Sequence, residues 1–139
     1  MQSGGWEHFP HGADIGVRGW GSTKAEAFRQ AALALFAIVT DPSKVEKKSS
    51  IETKIEEEND ELLLFSWLGF LVSCMDIEKM LFADASVRIE NHALTGFAWG
   101  EPWDRMKHEV GVEVKGPTLT LLFVGEKDGL WVAQCVVDV

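Results

Sequence analysis

Apolar and polar residues alternate along several stretches of the chain, and this period of two is typical of strands with one face packed and one face in water. The first two stretches are separated by Pro10 and Gly12, which should break the extended backbone. Asn91-His92 is placed to close a hairpin, and Asp128-Gly129 supplies turn residues near the C-terminus. The predicted strands are Trp6–Phe9, Asp14–Trp20, Ile51–Ile55, the two arms around Asn91-His92, Val112–Val124 and Leu130–Val137.

Two other stretches have the spacing of helices. Thr23 and Glu26 make a capping-box pattern, and the apolar residues that follow predict a helix from about Lys24 to Val39. Asp41-Pro42 should end it. Asp60 is a candidate cap for a second helix from about Glu61 to Met75, which is apolar nearly all round and should be buried on most sides.

The resulting order is two strands, a helix, a strand, a helix and four strands. It predicts an α+β fold, a two-layer sandwich with two helices packed on a largely antiparallel sheet. The chain of 139 residues, 46% hydrophobic and 25% charged, fits a single folded domain over residues 1–139.

The charge balance changes which functions are plausible. The formal net charge is −9, with the one short basic run flanked by acidic residues, so stable direct binding of nucleic acid is disfavoured. The N-terminus lacks the pattern of a secretory signal, and the longest apolar stretch is shorter than a membrane span needs, so we expect a cytoplasmic protein with no membrane association. Phosphate-loop, zinc-protease and nucleophile-elbow motifs are absent from the sequence.

The candidate chemistry lies in acidic groups. Asp138 follows a nearly unbroken apolar run, so its carboxylate and the α-carboxylate of Val139 end a strand that should be buried. Asp14 lies where the chain enters the second apolar strand, and it could pack beside these two groups. Unpaired buried carboxylates need a counter-ion. Three hard oxygen ligands would suit Ca²⁺ or Mg²⁺ better than zinc, which prefers His and Cys. The alternative is that Asp14 caps a turn and Asp138 frays into water.

Three further polar residues and two tryptophans are weaker candidates. Lys115 could neutralise the acidic groups or be a surface lysine on an edge strand. Asp41 is by default a turn residue, and His11, like His8, is more often packed or solvent-facing than a ligand. Trp99 and Trp103 flank Gly-Glu-Pro, where a partner contact is more credible than at the other tryptophans.

The segment from Trp6 to Gly16 resembles the EHxADIG opening motif of the archease family. Two departures are Gly12, where the family has threonine, and Gly116-Pro117 after Lys115, which should bend that strand. Further blocks match in order: Ala31–Phe36, Val39–Asp41, Asp60–Leu63 with Trp67-Leu68, Ala98–Pro102, His108 with Gly111–Lys115, and Val136–Val139.

The resemblance implies an activator of the GTP-dependent tRNA-splicing RNA ligase that promotes ligase guanylylation and multiple turnover and is not itself an enzyme. It also implies a divalent-metal site at Asp14, Asp138 and Val139, with calcium first and magnesium or manganese as alternatives, provided that Val139 is the natural C-terminus. Asp41 and Lys115 match positions that the family uses functionally.

Two other functions are alternatives. One is a chaperone-like modulator of tRNA-modification enzymes such as a tRNA methyltransferase, a role also attached to this family. The other is a metal-dependent hydrolase, which would need a general base near Asp14, and only His8 or His11 offers one.

Overall fold

The computed structural model describes residues 4–139, which form two helices and eight strands. In chain order these are β1 (Gly4–His11), β2 (Asp14–Gly21), α1 (Lys24–Val39), β3 (Ser49–Glu56), α2 (Asp60–Ile77), β4 (Met80–Glu90), β5 (Ala93–Pro102), β6 (Gly116–Pro117), β7 (Phe123–Lys127) and β8 (Leu130–Asp138).

Helix α1 has the predicted bounds because its end signals are local. The Thr23 hydroxyl accepts a hydrogen bond from the Glu26 N–H over 3.1 Å and so satisfies one of the free donors of the first turn. The reciprocal arm of the capping box is missing, since the Glu26 carboxylate binds Arg29 and Gln30 instead. After the helix, Asp41 caps a short 3₁₀ turn at Pro42–Lys44.

The cap predicted for helix α2 is wrong by one residue. Asn59 is the cap, and its side chain accepts a hydrogen bond from the Leu62 N–H over 2.9 Å. Asp60 instead pairs with Lys24 across 3.0 Å. The helix is also buried on a narrower face than its composition indicated, with other positions half-buried or exposed. The fully packed residues are Leu63, Leu64, Trp67, Leu68, Leu71 and Val72.

The α+β class and the antiparallel pairing are confirmed, and the strands divide between two sheets. In the first, β1, β2 and β8 are neighbours, and β6 and β7 both pair with β8. The second has the order β3-β5-β4. Each helix contacts both sheets, so the core extends across the helical layer.

Close contacts at glycines hold the helices to the sheets. A Cβ at Gly19 in β2 would lie 2.3 Å from the Ala31 nitrogen of α1. A Cβ at Gly96 in β5 would lie 2.5 Å from the Trp67 ring of α2. Both positions therefore need a residue without a side chain.

The C-terminal half differs most from the prediction. The hairpin at Asn91-His92 and the final turn at Asp128-Gly129 are confirmed, but no strand runs from Val112 to Val124. Residues 103–115 form neither helix nor strand, β6 is two residues long, and Leu121 has a φ of 53° that interrupts extended backbone before β7.

The break predicted at Pro10 is also wrong. Strand β1 continues through Pro10 to His11. Proline has no N–H to donate, and this is tolerated because β1 is an edge strand with a neighbour on one side only. The turn comes at Gly12, which has a φ of 61°. Neither helix among residues 4–139 combines the length and apolarity needed to cross a membrane.

Candidate metal-binding site

Asp14 and Val139 meet although they belong to the two ends of the chain. Strand β2 begins at Asp14 and pairs antiparallel with β8, with Ile15 opposite Val137. The Val139 N–H donates a hydrogen bond to Asp14 Oδ1 over 3.3 Å. The Val139 main chain therefore lies next to the Asp14 side chain.

The same register brings Asp138 to this place. The ladder ends at the Ile15–Val137 pair, and Asp14 and Asp138 are the next residues along the two strands. Side chains at opposite positions of antiparallel strands share a face, so a ladder continued by one step would put these two on the same face. The backbone register thus brings Asp14 and Asp138 to the same end of the β2–β8 strand pair.

The acidic cluster is more exposed than the sequence predicted. Asp138 is exposed, and Asp14 and Val139 are half-buried, so the end of β8 is not enclosed on both faces. The desolvation cost that would demand a counter-ion does not apply to Asp138. What remains is mutual repulsion, since like charges opposite each other in a sheet are destabilising.

Lys115 is beside the acidic cluster through its backbone. Its N–H donates to the Asp138 carbonyl over 2.8 Å, and its side chain is exposed. Within residues 4–139, no ion pair joins Lys115 to Asp14 or Asp138. The lysine is therefore near the cluster without neutralising it by direct contact.

Asp41 is a turn residue, as its default interpretation predicted. Its Oδ1 accepts hydrogen bonds from the Ser43 hydroxyl over 2.7 Å and from the Ser43 N–H over 3.0 Å. The bond from the hydroxyl has the larger effect, and together the two bonds hold the pKa of the exposed Asp41 carboxyl below its usual range. Asp41 remains ionised at neutral pH and lines a shallow depression with residues 105–109.

The 103–115 segment connects Asp41 with the acidic cluster. The Thr40 hydroxyl donates to the Glu109 carbonyl over 2.6 Å, and the Gly111 N–H donates to the Val39 carbonyl over 2.8 Å. The segment then reaches Asp138 through Lys115. The end of α1 and the end of β8 are thereby linked to the same segment.

The two histidines of the opening motif have different surroundings. His11 pairs with Asp14 in the β1–β2 ladder, is exposed and shares the face of Asp14. His8 contacts helix α1, and its Nε2 donates to the Ala34 carbonyl over 2.7 Å. His11 is therefore a neighbour of the cluster, whereas His8 is exposed and hydrogen-bonded to the main chain of α1.

Sequence reasoning missed a buried charged cluster around Glu101. This residue is 3% exposed, and its Oε2 accepts hydrogen bonds from the Glu46 N–H over 2.8 Å and from His108 Nε2 over 3.0 Å. Lys107 Nζ is 2.8 Å from the same oxygen. The hydrogen bond from the Glu46 N–H has the largest effect on the pKa of Glu101, followed by the bond from Lys107. Together they hold this pKa far below its usual range.

The partner of Glu101 has a defined tautomer. His108 Nδ1 accepts a hydrogen bond from the Asp104 N–H over 3.0 Å, so the ring proton is on Nε2 and points to Glu101. His108 is buried and lies in the irregular 103–115 segment. No periodic pattern pairs a strand residue with a loop residue seven positions later, which is why the sequence showed only two separate residues.

The donor set of the acidic cluster fits a hard divalent cation. Within residues 4–139, no group of three His, Cys, Asp or Glu side chains could hold a metal ion. The cluster offers two such side chains and a main-chain carboxylate. Ca²⁺ takes six to eight oxygen ligands and Mg²⁺ about six, so three protein groups would leave several positions for water or for groups of another molecule.

Comparison with known proteins shows the family. Residues 6–139 match the model of the Archease protein family (MTH1598/TM1083). A protein archease of Pyrococcus furiosus is 44% identical, with 96% of this chain and 98% of that protein covered. The protein archease of Aeropyrum pernix is 35% identical over the whole of both chains. The chain belongs to the archease family.

Two solved structures have the same fold. The solution structure of protein 1598 of Methanobacterium thermoautotrophicum superposes with a TM-score of 0.81 at 31% identity, covering 97% of this chain and 99% of that one. The crystal structure of an archease from Thermotoga maritima, described as a possible chaperone, gives a TM-score of 0.65 at 20% identity, with 100% and 98% covered. The second likeness concerns the fold alone.

Proposed function

We propose that the protein activates a GTP-dependent tRNA-splicing RNA ligase, promoting ligase guanylylation and multiple turnover through a divalent cation held by Asp14, Asp138 and the α-carboxylate of Val139. The observation that carries the proposal is the hydrogen bond from the Val139 N–H to Asp14, which brings acidic groups from distant parts of the chain together. Membership of the archease family supports the proposal, and ligase activation is what the resemblance to that family implies.

The cation would offset the repulsion within the acidic cluster. Calcium is the first choice and magnesium or manganese the alternatives, because all three accept carboxylate oxygens. When bound, the ion would supply a Lewis acid that orients and polarises phosphate oxygens. The open ligand positions would let groups of the ligase or of GTP complete its coordination.

Other residues of the family pattern would act around this site. Lys115 would bring a positive charge within reach of a phosphate, because its side chain is exposed and not paired with Asp138. Asp41 and His11 would contact the partner, since both are exposed near the same segment or strand pair. The protein would act as a cofactor of the ligase, with no catalysis of its own.

The overall charge supports a protein partner. A chain of net charge −9 is attracted to the basic surface of a tRNA-binding enzyme and repelled by free RNA. We expect the complex to form in the cytoplasm without stable direct contact to nucleic acid. Its association rate should fall as salt is added.

The experiment is ligase turnover on cleaved tRNA with excess GTP. Wild type should allow many turnovers per ligase, and the variants Asp14→Asn and Asp138→Asn should not. Asp128→Asn is the matched control, because Asp128 is exposed at the β7–β8 turn and asparagine tolerates its φ of 54°. Equal turnover with all four proteins would refute the metal-dependent part, and no stimulation by wild type would refute ligase activation itself.

A chaperone-like modulator of tRNA-modification enzymes, such as a tRNA methyltransferase, is the second candidate. Its support is the exposure of large apolar side chains, among them Met106 and Leu119. Such a protein should suppress aggregation or off-target methylation equally well with and without divalent metal. Loss of that effect on Asp14→Asn would count against this function and for the metal-dependent one.

A further inference from the structure

Strand β3 is an open edge of the second sheet. It pairs with β5 along its full length, from Ser49 opposite Gly100 to Glu56 opposite Ala93, and within residues 4–139 no strand lies on its other side. Alternate backbone N–H and C=O groups of an edge strand point away from the sheet and can pair with another chain. β3 has eight residues and an unbroken ladder, so its free side is a long and regular template for a further strand.

The other edge strands carry features that oppose such pairing. β1 contains Pro10, which has no N–H to donate, and β6 is only two residues long. In β7 the Val124 N–H is already bound to the Glu61 carboxylate of α2 over 3.0 Å. The ladder of β4 is irregular between Phe82 and Asp84, and irregularities of this kind bend an edge. β3 contains neither a proline nor a bulge, so among residues 4–139 its edge is the most open to a second chain.

The solvent-facing side of β3 carries two opposite charges. Glu52 and Lys54 are exposed, and no ion pair engages either of them within the part of the chain that the structure describes. Their cross-strand neighbours on β5 are uncharged, Phe97 opposite Glu52 and Thr95 opposite Lys54. A charge on an edge strand normally discourages pairing. Here a glutamate and a lysine two positions apart make the strand complementary to a copy of itself.

One antiparallel register between two copies satisfies both charges. With the twofold axis at Thr53, Glu52 lies opposite Lys54 of the second copy, and Lys54 lies opposite Glu52 of the second copy. The two neighbouring registers that keep the faces of the sheet matched have their axes at Glu52 and at Lys54. Each of them puts two like charges opposite each other, which destabilises a strand pair. The charges therefore select the register centred on Thr53.

The same register joins the apolar sides of the two strands. Ile51 comes opposite Ile55 of the second copy, and Thr53 comes opposite its own equivalent. All three side chains are half-buried, and both isoleucines pack against the margin of the core. Pairing would remove more of their apolar surface from water, and β-branched residues at facing positions stabilise a strand pair. The two sides of β3 thus favour the same pairing.

We infer that a second copy of the protein pairs with β3, antiparallel and centred on Thr53, to form a symmetric dimer. Its continuous sheet has six strands, three from each copy. The inference goes beyond the proposed function and does not depend on it, because the pairing uses none of Asp14, Asp138 and Val139. The contact is one strand wide and smaller than the interface of a permanent dimer, so monomer and dimer should exchange with concentration.

The experiment is sedimentation equilibrium of the full-length protein from about 10 µM to about 1 mM. At about 0.15 M salt the long-range repulsion between two chains of net charge −9 is screened. The mean mass of wild type should rise toward that of a dimer. Glu52→Lys and Lys54→Glu each put like charges opposite each other at both ends of the contact, and each should weaken the dimer about tenfold or more. The variant with both substitutions restores the two pairs and should dimerise like wild type.

The matched control is Glu56→Lys, which makes the same charge change at another exposed position of β3. In the proposed register Glu56 faces the uncharged Ser50 of the second copy, so this variant should dimerise at least as well as wild type. All these positions are exposed, and circular dichroism will check that the fold is unchanged.

Four results would overturn the inference. Wild type could stay monomeric at the highest concentration, or the two single variants could dimerise like wild type. A double variant as weak as the single ones would show that the register is wrong. A wild type that is monomeric alone, with single variants that bind the ligase more weakly, would assign the β3 edge to a strand of the ligase. Ligase turnover measured on the same proteins tests the proposed function separately, since the cation site is unchanged in all of them.

Discussion

The Val139 N–H hydrogen-bonds to Asp14 Oδ1 across a sequence separation of 125 residues. The contact depends on β2 and β8 being neighbours in the first sheet, although they are the second and the last strands along the chain. The proposed cation site is therefore a product of tertiary structure, and the position of the last residue is part of it.

Extension of the C-terminus should abolish metal binding without unfolding the protein. Two glycines added after Val139 move the α-carboxylate away from Asp14 and replace it with an amide, while the β2–β8 ladder, which ends at Val137, stays intact. Thermal unfolding with and without Ca²⁺ measures this, because a ligand that binds only the folded state raises Tm. The same two glycines placed before Met1 are the control, and an equal Ca²⁺-induced shift in both extended proteins would contradict the prediction.

Lys115→Ala should separate ligase activation from metal binding. The Lys115 contact to Asp138 is made by the backbone, so the substitution leaves it in place. Removal of a positive charge near carboxylates should keep Ca²⁺ affinity equal or raise it, whereas ligase turnover should fall. Lys127→Ala, on the β7–β8 hairpin, is the control. A large loss of Ca²⁺ affinity in Lys115→Ala would mean that the lysine shapes the site itself.

Glu101→Gln should destabilise the protein in a pH-dependent way. Hydrogen bonds from the Glu46 N–H and from Lys107 lower the folded-state pKa of Glu101 from its ordinary value of 4.5. A carboxyl with a lowered folded-state pKa contributes its full stabilisation above the unfolded value, and the contribution declines as the pH falls toward the folded value. Urea unfolding should show wild type ahead at pH 7 and the difference reduced at pH 3.

The control for Glu101 is Glu126→Gln, at an exposed position of β7. It should change the unfolding midpoint little at either pH. A Glu101→Gln deficit that is the same at pH 3 and pH 7 would show that the ionised form of Glu101 is not what stabilises the fold.

Gly19→Ala should weaken the packing of α1 on β2. The added Cβ would lie 2.3 Å from the Ala31 nitrogen and 2.5 Å from the Ala27 carbonyl oxygen, and both are helix backbone that cannot rotate away. Overpacking of this kind costs about 1–3 kcal/mol of the free energy of unfolding. Gly116→Ala is the control, because nothing lies within 4 Å of its Cβ, and it should change stability by less than about 0.5 kcal/mol. Similar effects of the two substitutions in urea unfolding would contradict the packing argument.

The sequence predicted the elements whose signals are local. Helix α1 has a cap at Thr23, an apolar repeat and a stop at Asp41-Pro42, and its bounds were predicted correctly. At α2 two capping residues stand side by side, Asn59 and Asp60, and the local pattern does not distinguish them. Tertiary contact decides, because Asp60 is drawn to Lys24.

The elements set by distant contacts could not be predicted in the same way. Val112 and Val114 have strand-like spacing, yet the backbone of their segment binds Val39 and Asp138, so no ladder forms there. The anchor of that segment, Glu101 with His108, was missed for the same reason. The contact between Asp14 and Val139 was predicted, from the charges and from the likeness to the family. The exposure of this site was not predicted.

Calorimetric titration of Ca²⁺ into the full-length protein tests the central claim most directly. We expect wild type and Asp128→Asn to bind one ion per chain, and Asp14→Asn and Asp138→Asn to bind at least about tenfold more weakly, since each loses a charged ligand. Identical titrations for all four proteins, or no binding of Ca²⁺, Mg²⁺ or Mn²⁺ by wild type, would contradict the claim that the converging carboxylates form a cation site.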